Sequence, residues 1–238
     1  MNVIDVIVLL IIAGSGVYGF KNGFIKQAAS LIGLIIIFYL SFVLKDPIAE
    51  WLSLNLPFFN FMGSFRGATI LNVIIYQLIA FFIVFSILSV IYAIVIKITG
   101  VIEKVLKMTI ILAIPSKALG LLLGLIEGFV ISMILIMVLS LPILNFGLVR
   151  ESTSRKYLYN NSPIIGNITK EFNSSISDVI ELKDQFNNNS DRESFNLSCF
   201  DALLKHKIIG VKYSERLVNS GKLGVDENKA NAIIAKYK

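Results

Sequence analysis

Gln27–Leu44 reads QAASLIGLIIIFYLSFVL, and the charges of Lys26 and Lys45 bracket it with none between. The hydrocarbon core of a bilayer is about 30 Å thick and takes roughly 20 apolar residues as a helix. This window reads as a membrane span, and the neighbouring segments follow from it. Downstream, thirty uncharged residues run from Arg66 to Lys97, enough to cross with tilt or an interfacial extension. Ala118–Val149 carries one charge, Glu127, and its helix should stop near Pro142. Upstream, Val3–Phe20 (VIDVIVLLIIAGSGVYGF) has Asp5 near its outer end. Nothing basic precedes Lys21, so it lacks the n-region of a signal peptide and reads as an uncleaved span.

Lipid leaves backbone groups no partner but each other, so these runs are helices, and they are too continuously apolar for a barrel. The expected fold class is all-α: a polytopic membrane protein with four transmembrane helices, at about 3–20, 26–44, 67–97 and 118–141, plus a small helical C-terminal tail. The expected organisation is a membrane domain over 1–149, a linker over 150–166 and a polar helical tail over 167–238.

Composition supports that division. The chain is 55% hydrophobic, 16% charged and has a mean hydropathy of +0.77, against about 25% charged in a soluble domain. Residues 1–149 hold 8 Lys/Arg and 5 Asp/Glu, whereas 150–238 hold 14 and 11. Each part is net +3, too weakly basic for nucleic acid. The single cysteine, Cys199, forms no disulfide within the chain and reads as a small buried hydrophobe.

Gly19, Lys21 and Gly23 mark a tight turn that makes the first two spans an antiparallel hairpin. Segment 45–66, with Trp51, Pro57, Phe58, Phe59 and Phe61, reads as a re-entrant or interfacial loop, because such aromatics favour the headgroup level. Residues 101–109 place Val101, Ile102, Val105, Leu106 and Thr109 opposite Glu103, Lys104 and Lys107, as in a surface amphipathic helix or a continuation of the third span. The first and third connections hold six Lys/Arg and the second holds two, which puts both termini outside; counting Arg150, Arg155 and Lys156 narrows this to six against five.

Glu127 is the sharpest candidate for chemistry. It sits about nine residues into the expected last span, about 14 Å deep. A carboxylate there faces a bundle interior, a partner or water. It reads as a proton or ion site, or as an interhelical hydrogen bond without a transport role. Asp5 is shallower and could snorkel or cap the helix start. Gly120, Gly124 and Gly128 lie on one helix face, where another backbone can come close, and Ala29 and Gly33 repeat the spacing. Such strips pack helices within a monomer or between monomers.

No catalytic, cofactor or metal constellation stands out. The only histidine, His206, reads as a solvated helix residue. There is no G-x-S-x-G elbow and no G-x-x-x-x-G-K-[ST] phosphate loop. In the tail, Phe172, Ile176, Val179, Ile180 and Phe186 recur at helical spacing, and Asn187–Ser190 breaks the run. Phe200, Leu203 and Leu204 mark a second helix, Ser214–Val218 a third ended near Gly221, and Asp226 an N-cap for a last one with Ala230, Ile233, Ile234 and Tyr237.

Three stretches resemble the colicin V production (CvpA) family of bacterial inner-membrane proteins: the Asp5-containing first helix; Gly19-Phe20-Lys21-Asn22-Gly23-Phe24-Ile25 with Ala29–Gly33; and Leu119-Gly120-x-x-x-Gly124-x-x-x-Gly128. The resemblance covers about 1–165 and departs from the family at Glu127, where a polar or basic residue is expected beside the glycine. It implies a role in toxin production or export and carries no catalytic residues. Some relatives fuse this module to a serine protease, but the tail is too short and lacks the motifs for that activity. The leading expectation is a non-enzymatic multi-pass protein of the bacterial inner membrane, with the lipid bilayer and a second copy or membrane-protein partner as its contacts. It would serve colicin-type toxin production, secretion or envelope homeostasis. The alternatives are a small channel or transporter using Glu127, and a scaffold recruiting partners through its tail.

Overall fold

The computed structural model describes residues 2–62, 66–98, 113–139, 152–154, 174–182 and 191–238. Among them the regular structure is entirely helical: α1 (Val3–Asn22), α2 (Phe24–Asn55), α3 (Leu71–Ile98), α4 (Ala113–Leu139), a helical segment at 174–182, and three short helices, α5 (Arg192–Lys205), α6 (Val211–Asn219) and α7 (Glu227–Ala235). Among the described residues four helices are long and apolar enough to cross a membrane. The expected helix at 101–109, the stop at Pro142 and the break at 187–190 lie outside the described residues, as does most of the linker.

The helix ends follow local chemistry. Asn2 caps α1 by accepting from the Ile4 and Asp5 amides, while the Asp5 carboxylate accepts from the Asn2 amide at 2.8 Å, a reciprocal capping box. At the other end Gly23 takes φ 77°, a conformation that favours glycine, and donates to the Gly19 carbonyl at 2.9 Å.

Between α2 and α3 two boundaries differ from the expectations. α2 does not end at Leu44: it runs through Pro47 to Asn55, so the first half of the expected loop is helix. Lys45 reads as a stop because a charge ends the apolar run. Its ammonium is instead buried, 2.7 Å from both Asp46 Oδ1 and Gln77 Oε1. α3 starts at Leu71 and not at 67, because Gly67 turns with φ 80° and Ala68 and Thr69 complete the turn.

The chain divides into two compact units. The first contains 1–43, 83–140 and 146–167. Its main described contact joins α1 to α4. The second contains 44–82, 141–145 and 168–238. Composition sorts residues by their solvent and draws a boundary near 150, whereas contacts group the α2–α3 hairpin end with the tail. The polar side chains at that end explain why: they take partners from the tail. Gln77 donates to the Ile208 carbonyl at 3.1 Å, Tyr213 donates to Ser53 Oγ at 2.6 Å, and Arg216 pairs with Glu50. Lys222 Nζ reaches the Ser53, Leu54 and Leu56 carbonyls at 3.0, 2.6 and 3.0 Å, closing the end of α2. Asn196 receives the Ile70 amide and donates to the Gly67 carbonyl.

The core of the tail is formed by Phe195, Cys199, Phe200, Leu203, Leu217, Leu223, Ala230 and Ile234, all nearly fully buried. Asp226 caps α7 through the Lys229 amide. Burial pushes the Cys199 thiol far above its usual range, so it is an inert packing group. His206 is not a solvated helix residue. It is the C-cap of α5, its side chain is only 11% exposed, and Nε2 lies 2.9 Å from Asp178 Oδ2. The turn after α5 folds the ring inward against the 174–182 helix, a placement that spacing along one helix does not encode.

Candidate functional site

The membrane unit brings most of the sequence candidates into one region. The glycine strip of α4 faces α1. A Cβ on Gly120 would collide with the Gly19 carbonyl and meet Gly23 Cα at 3.0 Å. One on Gly124 would collide with the Ser15 carbonyl and meet Gly16 Cα at 3.1 Å, and one on Gly128 would meet Ile12 Cα at 2.7 Å. The strip is therefore occupied within the monomer, backbone against backbone. Lipid supplies no hydrophobic drive for helix association, so close van der Waals approach between small residues takes its place. Lys21 lies in the last turn of α1, and beside that turn the Lys117 ammonium sits 5.8 Å from the centre of the Phe20 ring. The turn is joined to α4 by the Phe24 amide, which donates to Ser116 Oγ at 3.1 Å.

Ala29 and Gly33 serve a different pair of helices. A Cβ on Gly33 would run into the ring of Tyr92, whose hydroxyl donates to the Ala29 carbonyl at 2.7 Å. The small residues thus open a slot on α2 for one aromatic side chain of α3.

Glu127 lies further along its helix than the sequence suggested. α4 begins at Ala113, not near 118, so the carboxylate is fourteen residues in, at the middle of a 27-residue helix and about 21 Å along it. It reaches α2, where Ser30 Oγ donates at 2.8 Å and Gln27 Nε2 donates to the other oxygen. Gln27 is fully buried and receives in turn from Asn22. Both carboxylate oxygens accept from neutral donors. This arrangement accommodates a polar group at depth, and the sequence alone had left it without named partners. Gln27 and Ser30 were missed as members of the cluster. Their three-residue spacing, which puts both on one face of an otherwise apolar helix, was the available signal.

Asp5 is buried and does more than cap α1. Its second oxygen accepts from Ser152 Oγ at 2.7 Å and the Ser154 amide at 2.8 Å, fastening the chain beyond α4 to the start of α1. Among the described residues no group of three or more His, Cys, Asp or Glu side chains could hold a metal ion.

Among the described residues, four long apolar helices, one of them carrying an internal carboxylate held by Gln27 and Ser30 of another, define a multi-pass helical membrane protein. The family described as Colicin V production protein matches residues 4–163, and the chain belongs to this CvpA family. No curated protein and no solved structure matches the chain. The match takes in all four long helices and stops short of the described tail helices.

Proposed function

We propose that this protein is a non-enzymatic component of the bacterial inner membrane that supports colicin-type toxin production, secretion or envelope homeostasis. The family match over 4–163 carries this reading. The structure is in keeping with it, because the small-residue strip and the intramembrane carboxylate are engaged in holding helices together. The test is complementation. In a colicin V-producing strain deleted for its own family member, expression of this chain should restore toxin release and resistance to envelope stress. Correctly inserted protein that restores neither overturns the proposal.

One observation favours a second reading, a small channel or transporter. Glu127 is an ionisable group at the middle of a membrane helix, in contact with a polar side chain and a hydroxyl of another helix. Under that reading Glu127→Gln abolishes proton-coupled flux in liposomes. Under the leading one, Glu127→Gln preserves complementation, since its amide oxygen still accepts from Ser30 or Gln27.

A further inference from the structure

Four lysines of the first unit lie at one end of it. Lys21 is in the last turn of α1, Lys26 in the first turn of α2, Lys97 in the last turn of α3 and Lys117 in the second turn of α4. Contacts between the helices bring these ends together. The Phe24 amide is bonded to Ser116, the neighbour of Lys117, and Gly19 and Gly23 lie against Gly120. Tyr92 is bonded to Ala29. Consecutive spans run antiparallel, so the five residues from Tyr92 to Lys97 and the five from Ala29 back to Phe24 each cover about 8 Å in the same direction.

These charges are not balanced from within. None of the four lysines has an ion-pair partner among the described residues, and Lys21, Lys97 and Lys117 are exposed. The two described carboxylates of this unit are engaged with other groups: Glu127 with Gln27 and Ser30, Asp5 with Asn2, Ser152 and Ser154. In sequence, the connection from α3 to α4 adds Lys104 and Lys107 against Glu103, so it does not reverse the sign.

The cations stand among apolar side chains. Phe24 is exposed between Lys21 and Lys26, the exposed Phe20 ring lies 5.8 Å from the Lys117 ammonium, and Leu119 is exposed two residues further on. Each lysine is within two residues of the end of a segment long and apolar enough to cross a membrane. A partner that suits this end carries negative charge and apolar surface side by side. A soluble acidic protein or a nucleic acid offers the first without the second. A phospholipid of net negative charge offers both, and lysines flanking a span are drawn to such headgroups, each ammonium acting on phosphate as a point charge.

We infer that this lysine-bearing end of the first unit is a binding site for anionic phospholipid. Lys21, Lys26, Lys97 and Lys117 hold headgroup phosphates, while Phe20, Phe24 and Leu119 lie against the upper acyl chains. The inference stands apart from the proposed cellular role.

The full chain is reconstituted in phosphatidylcholine bilayers with trace spin-labelled phosphatidylglycerol or spin-labelled phosphatidylcholine, and the motionally restricted fraction of each label is measured. The expected result is a preference for phosphatidylglycerol of at least roughly fivefold, the factor that one lysine at an anionic surface provides. It should fall as sodium chloride is raised from about 0.1 to about 1 M, where the screening length drops from about 10 to about 3 Å. Combining Lys21→Gln, Lys26→Gln, Lys97→Gln and Lys117→Gln should bring the two lipids level, and Arg66→Gln alone should leave the preference as it is. Equal association of both lipids with the native chain overturns the site. So does a preference that survives high salt or the fourfold substitution. At matched ionic strength, abolition by inorganic phosphate marks a site for the free anion, and abolition by polyglutamate marks one for an acidic polypeptide; either overturns the inference. If the fourfold variant does not fold, the pairs Lys21→Gln with Lys26→Gln and Lys97→Gln with Lys117→Gln take its place. Each should lower the preference, and no change in either pair overturns the inference.

Discussion

Between α1 and α4 the contact is made by residues with little or no side chain; at the end of α2 it is made by a lysine 166 to 169 positions away. Surroundings account for the difference. In lipid an apolar side chain gains nothing by leaving the acyl chains for another helix, so affinity comes from backbone proximity, which glycine permits. At the hairpin end the last carbonyls of α2 have no following turn to bond. The helix has no basic residue in its own last turn, and Lys222 supplies the positive charge that complements that end. One unit is held by removing atoms from the interface, the other by reaching across it with them.

The largest effect that would break this comparison is in the glycine strip. Gly124→Leu places a branched side chain where the Ser15 carbonyl and Gly16 Cα already stand. Neither backbone can rotate away, so the cost should reach or exceed the upper part of the usual overpacking range, about 3 kcal/mol. Size-exclusion and thermal-shift measurements in detergent should show loss of the monodisperse species. Gly14→Ala is the control, since a Cβ there meets nothing within 4 Å, and it should leave stability equal or slightly higher. Equal behaviour of the two variants would mean that the strip does not hold α1 to α4.

The matching test in the other unit is Lys222→Met, which keeps an apolar stem near Phe58 and removes the ammonium from three carbonyls. The expected cost is about 1–2 kcal/mol, below a fully buried charged hydrogen bond because the lysine is partly exposed. Hydrogen exchange should speed up by roughly tenfold across α5–α7 and leave α1 and α4 protected. Acceleration of all four long helices together would show that the two units do not open separately.

The contrast also explains what could be read from sequence. Glycines four apart and an uncharged run are local patterns, so the spans and the strip on α4 were legible without coordinates. What the strip faces was not, because Ser15, Gly16 and Gly19 lie more than a hundred residues away and small residues carry no partner code. Gln27 and Ser30 were visible as polar residues in α2, yet only the crossing of α2 with α4 assigns them to Glu127. Lys45 was misleading for a physical reason: a charge normally ends a span, and here Asp46 and Gln77 let the helix carry it onward to Asn55. The tail helices were legible from Asp226 and the apolar spacing, whereas the attachment of Lys222 to α2 depends on geometry that no local pattern holds.

Smaller effects should appear where the tail joins the hairpin through a titratable group. Burial pushes the Tyr213 phenol above its ordinary range, with Glu50 and Asp46 acting in the same direction and the bond to Ser53 opposing. The folded chain therefore keeps this proton to a higher pH than the unfolded chain does. The stability it contributes is intact below about pH 10 and declines as pH rises above that. Tyr213→Phe should cost about 1 kcal/mol at neutral pH by removing the Ser53 bond and should flatten the alkaline decline in a denaturation series. An unchanged alkaline slope would place the titrating group elsewhere.

Asp178 gives the smallest and opposite case. Burial alone would raise its carboxyl, but hydrogen bonds from His206 and Lys205 outweigh that and hold it below the usual range. Its contribution is present above the unfolded carboxylate value of about 3.9 and is lost as pH falls through the lower folded value. The carboxylate is one-third exposed, so Asp178→Asn should cost well under about 1 kcal/mol at neutral pH. Its signature is a shallower acid limb with the alkaline limb unmoved, the mirror of Tyr213→Phe. Acid and alkaline limbs that both respond to one substitution would mean that the 174–182 helix and the α2 contact melt as one element, and the distinction between local caps and a cooperative unit would then fail within the tail itself.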